Sequence, residues 1–183
     1  VRLRGLFGVD GRTIFEGTTQ VNIQAGAANA LAPNTPHNIV VTYNNTSGKM
    51  SMYINGTLVD DKNNPGTFLP ASTQNFIIGN AAVGPGTREY HGKIDEVSIW
   101  NTELQGSDVT SLYNWNVNGN LNNYSKSANL QGWYRMGENA HFNETTGEYT
   151  LKSATDTLDS NLFLTSVGVD KFDKISPGLI GPP

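Results

Sequence analysis

The sequence predicts an all-β protein of antiparallel strands with one short helix. Three observations lead there. Between His37 and Asp60 three apolar runs, His37-Asn-Ile-Val-Val-Thr-Tyr43, Lys49-Met-Ser-Met-Tyr-Ile54 and Thr57-Leu-Val-Asp60, are separated by Asn44-Asn-Thr-Ser-Gly48 and by Asn55-Gly56. An Asn-Gly pair between alternating runs is the strongest short-range signal for a hairpin with a type I′ turn. The composition agrees, because 20 glycines, abundant Asn, Ser and Thr, and only 15 % charged residues suit a turn-rich β-protein whose surface is polar through amides and hydroxyls. The third observation is the segment Ser107-Asp-Val-Thr-Ser-Leu-Tyr113, whose Val109, Leu112 and Tyr113 fall on one helical face.

Taken in order, the chain opens with short apolar pairs, Leu6-Phe7 and Ile14-Phe15, and with Thr19-Gln-Val-Asn-Ile23, where Val21 and Ile23 share a face. Pro33 and Pro36 bracket a turn that delivers the chain to His37. Ile39, Val41 and Tyr43 then share one face of a strand, and Met50, Met52 and Ile54 one face of its partner, so the methionines read as core fillers. Residues Asp60 to Ser72 read as a surface loop pinned by Phe68 and Leu69. Phe76-Ile-Ile-Gly79 is a further strand, and Gly92-Lys-Ile-Asp-Glu-Val-Ser-Ile-Trp100 another. In the latter Ile94, Val97 and Ile99 cannot all face one core without a bulge, which is expected near Asp95-Glu96. Ser107 is the expected helix N-cap, with Asp108 favourable in the first turn. Beyond the Asn-rich stretch from Asn114 to Asn123, strands are expected within Asn129–Glu138, Tyr149–Leu151 and Leu162–Thr165, and the segment from Ile175 to Pro183 reads as an extended linker.

A net charge of −4, from 12 basic and 16 acidic residues without a basic cluster, argues against nucleic-acid binding, which needs clustered Lys and Arg. The chain has no cysteine, so disulfides and thiolate metal sites are excluded, and the absence leans toward a bacterial or viral source. No apolar run has membrane length, so membrane insertion is not expected. Beginning at Val1 rather than Met, the sequence reads as a segment of something longer.

The ordered set Ile39-Val-Val-Thr-Tyr43, Met52-Tyr-Ile-Asn-Gly56, Phe76-Ile-Ile-Gly79, Gly92-Lys-Ile-Asp-Glu-Val-Ser-Ile-Trp100, Leu104 and Asp108-Val-Thr-Ser-Leu-Tyr113 resembles a laminin-G-like domain of the concanavalin A-like lectin/glucanase superfamily. The resemblance covers about the middle two-thirds of the chain, and it implies a two-sheet antiparallel jelly-roll sandwich. Trp133-Tyr-Arg-Met-Gly-Glu138 looks like the aromatic strand that normally opens such a domain, yet here it follows the helix. Residues 1–128 are therefore expected to form the sandwich, with 129–183 either completing it or starting a next repeat. The tail after the helix is similar to that of laminin-G-like domains in structural proteins of marine bacteriophages, which implies a virion or other extracellular surface.

Candidate site residues are few. Arg88-Glu-Tyr-His91 ends the glycine- and proline-interrupted loop Asn80–His91, and a guanidinium, a phenol and an imidazole from Arg88, Tyr90 and His91 suit a polyhydroxylated ligand, against the alternative that Tyr90 packs while its neighbours stay solvated. Trp115 is a candidate sugar-stacking platform, or else one of three residues, with Val117 and Leu121, that cover the helix. One carboxylate of Asp95-Glu96 is expected near the sheet interior, either bonded to backbone N–H groups or a basic side chain, or, for Asp95, binding Ca²⁺, the one cofactor considered. Retaining glucanases need two carboxyl groups about 5 Å apart on one face. Asp95 and Glu96 are adjacent and point to opposite faces, so no enzyme is expected. The reading is a non-catalytic surface-binding module for a glycan or for other virion or cell-surface proteins, acting in many copies or as a homo-oligomer. A purely structural decoration protein of a capsid or fibre is the alternative, and a glycoside hydrolase ranks behind both.

Overall fold

The structure is a computed structural model of the chain, and it describes residues 10–14, 20–24, 31–32, 34–63, 94–115, 119–135, 140–143, 148–151, 153–155 and 162–164. The expected strand Phe76–Gly79, the pinning residues Phe68 and Leu69 and the linker from Ile175 lie outside the described residues. Those described form antiparallel strands and one α-helix. They group into two compact units, Val1–Gly92 with Glu103–Asn114, and Lys93–Thr102 with Trp115–Pro183.

The first unit holds the hairpin β1 (Asp10–Ile14) and β2 (Gln20–Gln24), and the three-stranded sheet β3 (Ile39–Asn44), β4 (Lys49–Ile54) and β5 (Thr57–Asn63) with β4 in the middle. Alternation dictates its core. Ile39, Val41 and Tyr43 stand opposite Ile54, Met52 and Met50, and Met50, Met52, Ile54 and Ile23 of β2 are buried together with Leu31 and Val59 packed around them. Full burial stabilises by about 1.5–3 kcal/mol for each such side chain. The other face of β4 is buried too, through Ser51 and Tyr53. The first turn of helix α1 (Gly106–Asn114) lies over Tyr53, since a Cβ on Gly106 would sit 3.7 Å from its ring.

Turn chemistry follows the sequence closely. Asn55 and Gly56 have φ of 50° and 78°, the paired positive values a type I′ turn requires. Asn55 Oδ1 accepts from Asn38 N–H at 2.9 Å, and its Nδ2 meets His37 Nδ1 at 3.3 Å while His37 Nε2 meets the Ala32 carbonyl at 3.2 Å. In the preceding turn Asn44 Oδ1 accepts from the Thr46 and Ser47 N–H groups, and Gly48 takes a φ of 67°.

Two expectations need correction in this unit. Residues Asp60–Asn63 are strand, not loop, because β4 is long enough to pair through Lys49↔Asn63 and Lys49 Nζ reaches Asp61 at 2.6 Å across the pair. A register irregularity at Met52/Tyr53 accommodates Val59. The helix N-cap is Gln105, not Ser107. The Gln105 carbonyl accepts the first helical bond from Val109 N–H at 3.0 Å, and Asp108 Oδ2 accepts from Gln105 N–H at 2.8 Å, the reach-back half of a capping box.

The second unit pairs β6 (Val97–Trp100) with β7 (Leu130–Tyr134), and orders β8 (Ala140–Asn143), β9 (Glu148–Leu151) and β10 (Leu162–Leu164) with β9 central. Strand β6 is shorter than the expected Gly92–Trp100, because Glu96 adopts a φ of 51° and breaks the extended backbone where a bulge was expected. Trp133 N–H donates to Ser153 Oγ at 3.0 Å and its carbonyl accepts from Ala154 N–H at 2.6 Å. The segment after β9 thus runs against β7, and Leu130, Trp133 and Tyr134 are buried. The sequence reading did not anticipate β8.

Candidate functional site

Two groupings of chemistry-bearing side chains stand out in the second unit. The first is built on an aromatic relay. Asn120 Oδ1 accepts from Asn122 N–H at 3.0 Å and so caps the 3₁₀ turn Leu121–Asn123, after which Tyr124 N–H donates to the Leu121 carbonyl at 3.1 Å. Asn122 Nδ2 donates to the Ala154 carbonyl at 3.2 Å and anchors the turn. The buried Tyr124 ring then meets Trp100 at 5.9 Å and 79°, and Trp115 at 5.5 Å and 85°. Edge-to-face pairs of this kind contribute about 0.5–1.5 kcal/mol each beyond area burial. Trp100 is itself held, its Nε1–H donating to Ser98 Oγ at 3.0 Å.

Trp115 remains 40 % exposed. It is fixed from a second direction, because a Cβ added to Gly119 would come within 1.8 Å of Trp115 Cδ1 and 2.1 Å of Nε1. The bare backbone of Gly119 therefore lies against the pyrrole edge of the indole. An exposed aromatic ring with its rotation restricted on two sides is an ordering cost met before any ligand arrives.

The second grouping centres on Glu96. Asp95 Oδ1 accepts from Glu96 N–H at 2.9 Å, a local bond that steadies the left-handed conformation of Glu96. That conformation turns the Glu96 carboxylate toward β7, where Oε2 accepts from Trp133 Nε1–H at 2.5 Å and Oε1 from Arg135 Nε–H at 3.2 Å. The Arg135 guanidinium lies 5.1 Å from the centroid of the Trp133 ring, within cation–π range. Burial pushes the Glu96 pKa up, against the opposing pull of the Trp133 N–H and the Arg135 guanidinium. The carboxylate expected near the sheet interior is thus Glu96, and it meets an arginine.

Of the residues picked out from sequence, Trp115 and Asp95 are described and belong to these separate groupings, whereas Arg88, Tyr90 and His91 lie outside the described residues, as does Val117. Among the described residues no group of three or more His, Cys, Asp or Glu side chains is gathered. No helix among them is long and apolar enough to cross a membrane. Sequence reasoning missed Tyr124 and Gly119, the two residues that hold Trp115. A glycine within a run of asparagines was the only available signal.

Comparison with known proteins places the fold. Over 95 % of its length the chain is similar to a protein from Bacteroides ovatus ATCC 8483 provisionally described as a carbohydrate binding protein, with a TM-score of 0.59 and 19 % identity. An S-layer domain-containing protein from Clostridium thermocellum ATCC 27405 is similar over 58 % of this chain, with a TM-score of 0.39 and 21 % identity. The chain spans 44 % of the first protein and 51 % of the second. No curated protein matches it. Residues 5–110, more than half of the 183, match a laminin G family model, and the chain belongs to the concanavalin A-like lectin/glucanases superfamily.

Proposed function

We propose that the chain is a non-catalytic binding module with a two-sheet jelly-roll architecture, which recognises a glycan as part of an extracellular or virion-surface assembly. The observation that carries this reading is the Trp115 indole, exposed yet held by Tyr124 and Gly119. The C–H face of a sugar ring stacks on such a surface without any rearrangement of the protein. The likeness to a protein provisionally described as carbohydrate binding supports the same reading. A non-catalytic role fits the engagement of the Asp95-Glu96 pair, since Glu96 is bonded to Trp133 and Arg135 and Asp95 to a backbone N–H. Single contacts of this kind are weak, so function rests on many copies acting together.

A multivalent display of the full chain on a broad glycan panel, with and without Ca²⁺, tests the proposal. Retention that is lost in Trp115→Ala supports it. Calcium-dependent retention that survives Trp115→Ala and is lost in Asp95→Asn moves the site to Asp95. Absence of retention favours a decoration protein bound through protein contacts, for which Leu58 and Tyr113 are exposed large apolar side chains among the described residues of the first unit.

A further inference from the structure

We infer that the ligand of the Trp115 ledge is an uncharged saccharide, bound one sugar ring at a time by stacking and amide hydrogen bonds, independently of metal ions and nearly independently of salt. The inference rests on the glycan-binding reading above and specifies its ligand class.

The first support is the charge of the ledge. From Trp115 to Ser125 the sequence holds five asparagines and no Asp, Glu, Lys, Arg or His. Among the described residues, those whose contacts link them to the Trp115 ring or to the rings behind it, Ser98, Trp100, Gly119, Asn120, Asn122 and Tyr124, carry no formal charge. A uronate, sulfate or sialate desolvated against an indole is best offset by a cationic side chain, whose charge-assisted hydrogen bonds are about twice as strong as those of a neutral amide. The −4 net charge of the chain adds a repulsive field for such ligands. A neutral pyranose has no such requirement. Its hydroxyls are served by side-chain amides, each with two N–H donors and a carbonyl acceptor, and Asn120 and Asn123 are exposed in the turn that carries Tyr124.

The second support is the size of the platform. Tyr124 is buried and Trp100 is half-buried, both nearly perpendicular to the ring each meets. Among the described residues of the ledge, Trp115 alone presents an exposed ring. One platform stacks one sugar ring, so affinity per copy is low and apparent affinity grows with the number of copies.

The test displays the biotinylated full chain on a tetrameric scaffold and measures binding to neutral gluco-, galacto- and manno-oligosaccharides and to uronate-containing and sulfated oligosaccharides of equal length. Sodium chloride is varied from about 50 to about 500 mM, a range over which screening removes most long-range charge attraction. The expected result is binding to at least one neutral series, with half-saturation changing less than about two-fold across the salt range and unaffected by chelator. Trp115→Ala and Gly119→Ala each weaken binding about ten-fold or more, while Trp115→Tyr retains part of it. Near-native circular dichroism and thermal midpoints of Gly119→Ala separate ring displacement from unfolding. Binding confined to acidic glycans, or falling steeply with salt, overturns the ligand class and leaves glycan recognition standing. Binding unaltered in both Trp115→Ala and Gly119→Ala overturns the ledge as the site. No binding to any saccharide overturns the glycan-binding reading together with the inference.

Discussion

Two exposed aromatic rings in this molecule rest on glycines, and the two arrangements differ in what the glycine is for. Tyr113, 46 % exposed at the end of α1, lies over Gly56, where an added Cβ would come within 3.1 Å of its ring. Gly56 has a φ of 78° and its carbonyl accepts from Thr110 Oγ1 at 3.0 Å. Turn, hydrogen bond and ring all bind the helix to the β4–β5 hairpin, so this contact is structural. Gly119 has no left-handed backbone to justify it. The atoms nearest its missing side chain are those of Trp115, and Trp115 covers the buried Tyr124 ring on one side while staying 40 % exposed on the other. The contrast is between a glycine required by its turn and one whose bare backbone accommodates a ring that remains partly exposed.

The comparison breaks if both glycines behave alike under substitution. The largest expected effect is at Gly56, where Gly56→Ala adds left-handed strain to a crowded Cβ and costs about 2 kcal/mol of stability, measured by denaturant titration. Saccharide binding per folded molecule is expected to stay unchanged. Next, Gly119→Ala is expected to cost no more than the Trp115–Tyr124 contact it displaces, about 0.5–1.5 kcal/mol, while weakening saccharide binding about ten-fold, which is about 1.4 kcal/mol. Equal stability losses at the two sites would remove the distinction. Thr110→Val, which deletes the bond to the Gly56 carbonyl, is expected to cost about 1 kcal/mol and to leave binding at Trp115 intact.

The smallest effect concerns Glu96. Burial raises its folded-state pKa, so the folded chain holds this proton to higher pH than the unfolded chain does. The associated stabilisation is complete below the unfolded value of about 4.3 and is lost as pH rises through the raised folded value. Acidification from about pH 7 to about pH 4 should therefore move the wild-type stability upward relative to Glu96→Gln. Denaturant titrations of both chains across that range measure it. A difference that shrinks on acidification would mean that the Arg135 contact outweighs burial.

Local chemistry was legible in the sequence where one residue type meets one backbone requirement. Asn55-Gly56 announced its turn, whereas the broken alternation around Asp95-Glu96 marks a left-handed Glu96 before the strand begins, and the bulge expected there lies instead at Ile99/Trp100. Polar strands were less legible. Asp60–Asn63 reads as a loop because its side chains are charged or amidic, yet the backbone continues pairing with β4. Strand β8 is four residues long and owes its existence to pairing with β9, which no local pattern encodes. The helix start moved from Ser107 to Gln105 because Asp108 reaches back to the Gln105 N–H, a two-ended arrangement that a single capping preference does not reveal. At the site, Trp115 could be picked out by its chemistry alone. Tyr124 and Gly119 could not, since their roles arise from approach distances that exist only in the folded chain.

The central claim is that Trp115 is the ligand-facing ring. The chain has three tryptophans, so the indole N–H signals of Trp100, Trp115 and Trp133 in a ¹⁵N-labelled sample can be assigned by single substitution. Titration with the best-bound neutral oligosaccharide is expected to shift the Trp115 signal progressively, and to leave that of Trp133, whose N–H is donated to Glu96, in place. A shift confined to Trp133, with Trp115 unmoved at saturating sugar, would contradict the account and transfer recognition to the Glu96 and Arg135 grouping.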